Sequence, residues 1–192
     1  MNPRIGIVIG STRPSRFGEK PAAWLHGIAE KRTDLDFELI DLRDYPLPLF
    51  NESSSPAWGP VNNEVAQRWA GRLAGLDGFI LVTPEYNHGT SAVLKNALDY
   101  AYKEYVRKPV AFVGYGGVGG ARAVEHLRLV AVELQMAPVR NAVHIAGSDF
   151  LGLWQQGKSF DELPHLAQAA AAMLDELAWW TKALKTAREN AA

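Results

Sequence analysis

No cysteine occurs in the 192-residue chain, which excludes disulfides, thiol catalysis and thiolate metal sites. The five histidines, His26, His88, His126, His144 and His165, show no HExxH or other paired spacing, so no metal site is expected. Charge of one sign is missing as well. Twenty Lys and Arg stand against 21 Asp and Glu, and a net charge of -1 gives no electrostatic case for nucleic acid or an anionic membrane. No run reaches the roughly 18 apolar residues of a membrane span, and no signal-like apolar core follows the N-terminus, so the expected setting is the cytoplasm. What remains is an ordinary globular composition, 47% hydrophobic and 21% charged, at a length that suits one domain over residues 1–192.

Glycine is scarce where a nucleotide motif would need it. The stretch RIGIVIGSTRPSRFGEK, Arg4 to Lys20, runs from a short β-branched strand into a polar turn and then a helix. Gly10 is the only glycine in that turn before Gly18, so neither a P-loop nor a three-glycine dinucleotide fingerprint is present. The turn offers instead the hydroxyls of Ser11, Thr12 and Ser15 and the planar forks of Arg13 and Arg16, just ahead of a helix N-terminus. That donor set suits a terminal monophosphate inserted end-on, as in flavin mononucleotide. The plainer alternative is a helix start with two solvated arginines.

Further along, apolar spacing predicts a helix over Pro21 to Arg32 and a strand over Asp36 to Leu42, where Asp41 is given a structural role. Leu42 to Pro60 holds four prolines and a serine run, hence a long loop, whose Leu47, Leu49, Phe50 and Trp58 should pack down on something. A helix over Asn62 to Ala74 and a strand over Gly78 to Val82 follow. The polar loop TPEYNHG, Thr83 to Gly89, then leads into a helix capped by Thr90 or Ser91. That helix is expected over Ala92 to Tyr105, with one face for the sheet and a second, through Leu94 and Tyr105, for a partner subunit.

Pro109 to Val113 reads as a fourth strand, GYGGVGG at Gly114 to Gly120 as a loop, and Ala121 to Met136 as a helix. The loop contains GxGxxG, but the acidic residue a dinucleotide site needs about 20 positions on is misplaced: Glu133 lies within the helix and Asp149 comes too late. Glycines so spaced also let backbone lie flat against a planar ring. Val139 to Ile145 completes five strands, Phe150 to Lys158 is expected to be irregular, and Leu163 to Ala187 forms a closing helix. The fold class is thus α/β, a three-layer doubly wound parallel five-stranded sheet of flavodoxin-like order 2-1-3-4-5, with the three polar loops meeting at its carboxyl edge.

Together GSTRPSR at Gly10 to Arg16, PEYNHGTSAVLKNALDY at Pro84 to Tyr100 and GYGGVGGAR at Gly114 to Arg122 resemble the NAD(P)H-dependent FMN reductase family of quinone and azo-dye reductases. The resemblance covers most of residues 4 to 145. It implies noncovalent FMN, its phosphate held by Ser11, Arg13 and Ser15, with Arg16, Phe17 and Gly18 as further contacts. The isoalloxazine would lie along Pro84, Glu85, Tyr86, Asn87 and Gly89 and be closed over by Gly114, Gly116 and Gly117. Backbone N–H groups of Asn87 to Gly89 would face the flavin N1 and O2 edge. The resemblance further implies NADPH or NADH as co-substrate, a small-molecule electron acceptor, no protein acid or base in flavin reduction, and a homodimer or dimer of dimers. This chain departs from the family at Phe17-Gly18, where many relatives carry a small residue and Asn, and at Tyr100, where many carry Trp. A flavodoxin-type electron carrier or a non-catalytic FMN-binding module would share fold and cofactor, and both stay open on sequence alone.

Overall fold

A computed structural model describes residues 2–191. Five strands, β1 (Arg4–Ile9), β2 (Asp36–Asp41), β3 (Gly78–Pro84), β4 (Pro109–Tyr115) and β5 (Ala137–Ile145), form one parallel sheet in the expected order β2-β1-β3-β4-β5. The apolar runs explain which strands are central. Every residue of β3 and β4 is buried, whereas the edge strands β2 and β5 mix buried and open positions, as strands covered on both faces differ from strands at a rim.

Helices α1 (Glu19–Ala29), α5 (Gly147–Gln155) and α6 (Pro164–Glu189) cover one face. Their core packs Leu25, Met173 and Leu177 onto Ile7, Ile80 and Val113. On the other face α2 (Glu64–Ala74), α3 (Ala92–Asp99) and α4 (Ala121–Glu133) enclose Trp69, Leu94 and Leu127 with Val8, Leu81 and Phe112. Neighbours along a strand thus serve opposite cores, because successive side chains leave a strand on opposite sides.

Two expected elements differ. The helix beginning at Ala92 stops at Asp99, six residues short, because the buried Trp69 indole donates to Ala97 O at 2.8 Å. That carbonyl would otherwise accept from Ala101, whose N–H turns to Leu98 O instead. Phe150 to Lys158, expected to be irregular, is mostly helix: α5 starts at Gly147, whose φ of +48° suits glycine, and brings Phe150 and Trp154 onto one face at i, i+4 spacing. The dimer-seam candidates Leu94 and Tyr105 are also corrected. Both lie in the core of their own protomer, Leu94 under α3 and Tyr105 edge-on to Phe79 at 5.4 Å.

The long loop does pack, through α3. Asn96 accepts from Phe50 N at 2.9 Å and donates to Pro48 O at 2.7 Å, and Phe50 meets Tyr100 edge-on. Leu49 and Trp58 stay open to solvent. At the amino edge of the sheet, Asp77 just before β3 accepts from Arg4 N, Lys185 and Arg188, tying the last turns of α6 to the strands. No described helix is long and apolar enough to cross a membrane.

Candidate cofactor site

The site begins with the turn after β1. Gly10 N–H donates to Val82 O at 2.8 Å, and the Ser91 hydroxyl donates to Gly10 O while accepting from Leu94 N as the cap of α3. One serine thereby couples the turn to the next helix. A Cβ at position 10 would stand 2.7 Å from Val82 O, which explains the glycine. Arg43 holds the carbonyls of Arg13 and Pro14, and Arg16 holds that of Ser11 at 2.6 Å. Since N–H and C=O point oppositely across a trans peptide, the N–H groups of Thr12 and Ser15 face away from these arginines.

The two arginines of the turn have different roles. Arg13 is exposed, its guanidinium 5.6 Å from the Tyr86 ring centroid. Arg16 faces inward: its Nε donates to Glu19 at 2.8 Å and its two terminal nitrogens grip Asp41, so it braces the turn while also lining the cleft. Asp41 sits opposite Ile9 in the β1–β2 register, which places a carboxylate beside the turn and gives it the structural role expected. Phe17 lines the cleft as well as packing, edge-on to Tyr115 and to Phe150 at 5.2 Å each.

The loop after β3 is a tight hairpin. Tyr86 and Gly89 exchange both backbone hydrogen bonds, and Asn87 and His88 occupy the left-handed region at φ of +49° and +70°. That is the pattern of a type I′ turn, where only the two central N–H groups stay unpaired. The expected donor at Gly89 is therefore used within the turn, which leaves Asn87 and His88. The Tyr86 hydroxyl reaches back to Ser11 Oγ at 3.3 Å.

Behind the hairpin, the Glu85 carboxylate is committed to the start of α4. It accepts from the Arg122 backbone N–H at 3.2 Å and pairs with the Arg122 guanidinium, which also contacts His88 Nε2 at 2.7 Å. A carboxylate so placed is favoured by the helix dipole and joins the loops after β3 and β4. The glycines of the second loop divide by role. A Cβ on Gly114 would meet Gly119 O at 2.5 Å, so this glycine serves the fold of the loop itself, whereas Gly116, at φ +140°, and Gly117 face the cleft.

These pieces border one cleft of about 250 Å³. Arg13, Ser15, Arg16 and Phe17 stand on the turn side, and Pro84, Glu85, Tyr86, Gly116 and Gly117 on the loop side. Gly18 lies behind, against the Tyr115 hydroxyl, and Ser11 is buried beneath Tyr86. Asn87, Gly89 and Gly114 lie outside the lining. Three lining residues escaped the sequence reading: Tyr115, Phe150 and Trp154. Phe150 stacks between Tyr115 and Trp154 at 6.2 and 5.3 Å. The i, i+4 spacing in FLGLW was the signal for the last two, and Tyr115 was hidden among glycines.

A doubly wound parallel sheet with a polar turn after β1 and a glycine loop after β4, meeting at the carboxyl edge, defines a flavodoxin-like protein. A family model described as NADPH-dependent FMN reductase matches residues 3–149, and the chain belongs to that family. An NAD(P)H-dependent FMN reductase of Schizosaccharomyces pombe is 37% identical over 147 residues, 74% of each chain. A quinone reductase of Pseudomonas putida is 29% identical over 185 residues, 93% of this chain and 94% of that one. The solved structure of FerB, a flavoenzyme NAD(P)H:(acceptor) oxidoreductase from Paracoccus denitrificans, shares the fold with a TM-score of 0.68 at 24% identity, covering 91% of this chain and 97% of its own. The expected fold order and family both hold. Phe150 and Trp154 fall beyond the matched stretch.

Proposed function

We propose that this chain is a single FMN-binding unit that binds the flavin noncovalently in the cleft and carries reducing equivalents from NADPH or NADH to a quinone, an azo compound or free flavin. The observation that supports it is the polarity of the cleft. Hydroxyl and guanidinium donors gather at the turn, while the glycine loop is bare at Gly116 and Gly117. The donors suit FMN: Ser15 and Arg13 line the cleft for the phosphate, with Ser11 buried alongside.

When bound, the flavin supplies the hydride chemistry. The protein's part is to hold and orient. Arg16 and Arg43 keep the turn preformed, Glu85 and Arg122 lock the two ring-facing loops together, and Phe150 and Trp154 shield one wall from water. Glu85 is committed to Arg122 and is assigned no proton transfer.

The reading extends to a homodimer or dimer of dimers working in the cytoplasm, where reduced nicotinamide is supplied. Its support is the solvent face of α4, where Leu129 and Val132 are 73% and 62% exposed.

The deciding measurement is the absorption spectrum of the protein reconstituted with FMN, before and after NADPH. Flavin bands that bleach support a reductase. Bands that persist with both NADPH and NADH mean a binding module, and a failure to bind FMN removes the reading. Riboflavin, which lacks the phosphate, should bind at least about a hundredfold more weakly than FMN, and Arg13→Ala should cost FMN about tenfold in titration. Equal affinities for the two flavins would place the phosphate elsewhere.

A further inference from the structure

Tyr115 closes β4 with its ring in the core and its hydroxyl in an unusual position. The residue is only 4% exposed, its ring fixed edge-on by Phe17 and stacked by Phe150. Its hydroxyl oxygen is buried without a hydrogen-bond partner. Ser11 and the Gly18 N–H lie near enough to favour the phenolate, but neither meets the distance and angle of a formed hydrogen bond. Gly18 is the residue preceding α1, and a Cβ there would stand 2.8 Å from the phenol oxygen. The hydroxyl is therefore presented at the N-terminus of an 11-residue helix, beside the turn that carries Ser11, Arg13 and Ser15, on the border of the cleft.

A buried hydroxyl without a partner is unfavourable, and phenylalanine would fill the same aromatic slot without that cost. An unsatisfied group of this kind, held rigidly at a helix N-terminus, is suited to a ligand that completes it. Burial pushes the phenol's pKa above the ordinary tyrosine value, so it stays protonated and is a hydrogen-bond donor across the physiological range. Its complement is an acceptor-rich anion. A phosphate monoester brings three terminal oxygens to the same place as the Ser11 hydroxyl and the first turn of α1.

We propose that the Tyr115 hydroxyl donates to the terminal phosphate of the bound flavin, making Tyr115 a phosphate ligand contributed by the strand on the far side of β3 from the turn. The inference rests on the FMN reading above. It explains why Gly18 is glycine in this chain, since any side chain there would occupy the space beside the hydroxyl. It also joins two loops through one ligand: the turn after β1 holds the phosphate from one side and the end of β4 from the other.

The test is Tyr115→Phe, which deletes one oxygen and keeps the ring. Protein freed of flavin is titrated with FMN and, separately, with riboflavin, and its thermal midpoint is measured without ligand. The expected result is an FMN affinity lowered about tenfold, riboflavin affinity unchanged, and a ligand-free midpoint equal to or above that of wild type. A tyrosine serving only the fold would give the opposite sign in the melt. Unchanged FMN affinity in the variant, or equal weakening of FMN and riboflavin, overturns the assignment while leaving FMN binding intact. Wild-type protein that does not bind FMN in the same titration removes the functional reading and this inference together.

Discussion

Arg13 and Arg16 stand three residues apart in the same turn, yet the fold gives one to solvent and the other to the protein. Arg16 has a side chain only 2% exposed and a fork gripping Asp41, so Arg16→Ala would leave that carboxylate unpaired. Breaking a buried pair costs roughly 3–5 kcal/mol, and because Asp41 partly reaches solvent the expected loss is about 2 kcal/mol in denaturant unfolding. Arg13→Ala should leave stability unchanged, and an equal loss for both variants would contradict this division. Nothing local in GSTRPSR separates the two arginines. The difference comes from Asp41, 25 positions from Arg16 in sequence and brought beside the turn by the register of β1 against β2. Tyr115 was illegible for a related reason: flanked by glycines, it shows neither periodicity nor partner until Phe17 and Phe150 are packed around it.

Among the elements, those whose ends are set by their own residues were legible, and those ended by distant ones were not. Asn63 caps α2 and Ser91 caps α3 through their own side chains, both within the polar starts read from sequence. The far end of α3 is set by Trp69, from another helix, and so eluded apolar spacing. Helix pairing also gives a pH dependence. The Arg32 fork, with Lys182 of α6 assisting, holds the Asp34 carboxyl at about 2 against an ordinary 3.8. The folded carboxyl titrates below the unfolded one, so its contribution is present above about pH 4 and is lost as pH falls through about 2. Discounted for solvent, that contribution is about 1 kcal/mol. Asp34→Asn should therefore be less stable than wild type by about that amount at neutral pH, and the two unfolding curves should converge near pH 2. A deficit that persists undiminished at pH 2 would rule out the ion pair as its source.

For the whole molecule, sheet order followed from five apolar runs alternating with helices, and the meeting of three loops followed from that order. Assembly did not follow, because an apolar stripe does not say whether a core or a partner covers it: Leu94 is enclosed by its own chain, while Leu129 and Val132 of α4 face solvent. The assembly test accordingly moves to α4. Replacing both Leu129 and Val132 with Glu should convert a dimer to monomers in light scattering without lowering the thermal midpoint of the protomer. A wild-type monomer at micromolar concentration would refute the assembly. The ionic cluster joining Asp77 to Arg4, Lys185 and Arg188 lies at the opposite rim of the sheet from every loop that borders the cleft. Substitutions around that cluster are thus remote from the cleft. If the protein were fixed to a solid support through that rim, the opening of the cleft would point away from the support, toward the surrounding solution.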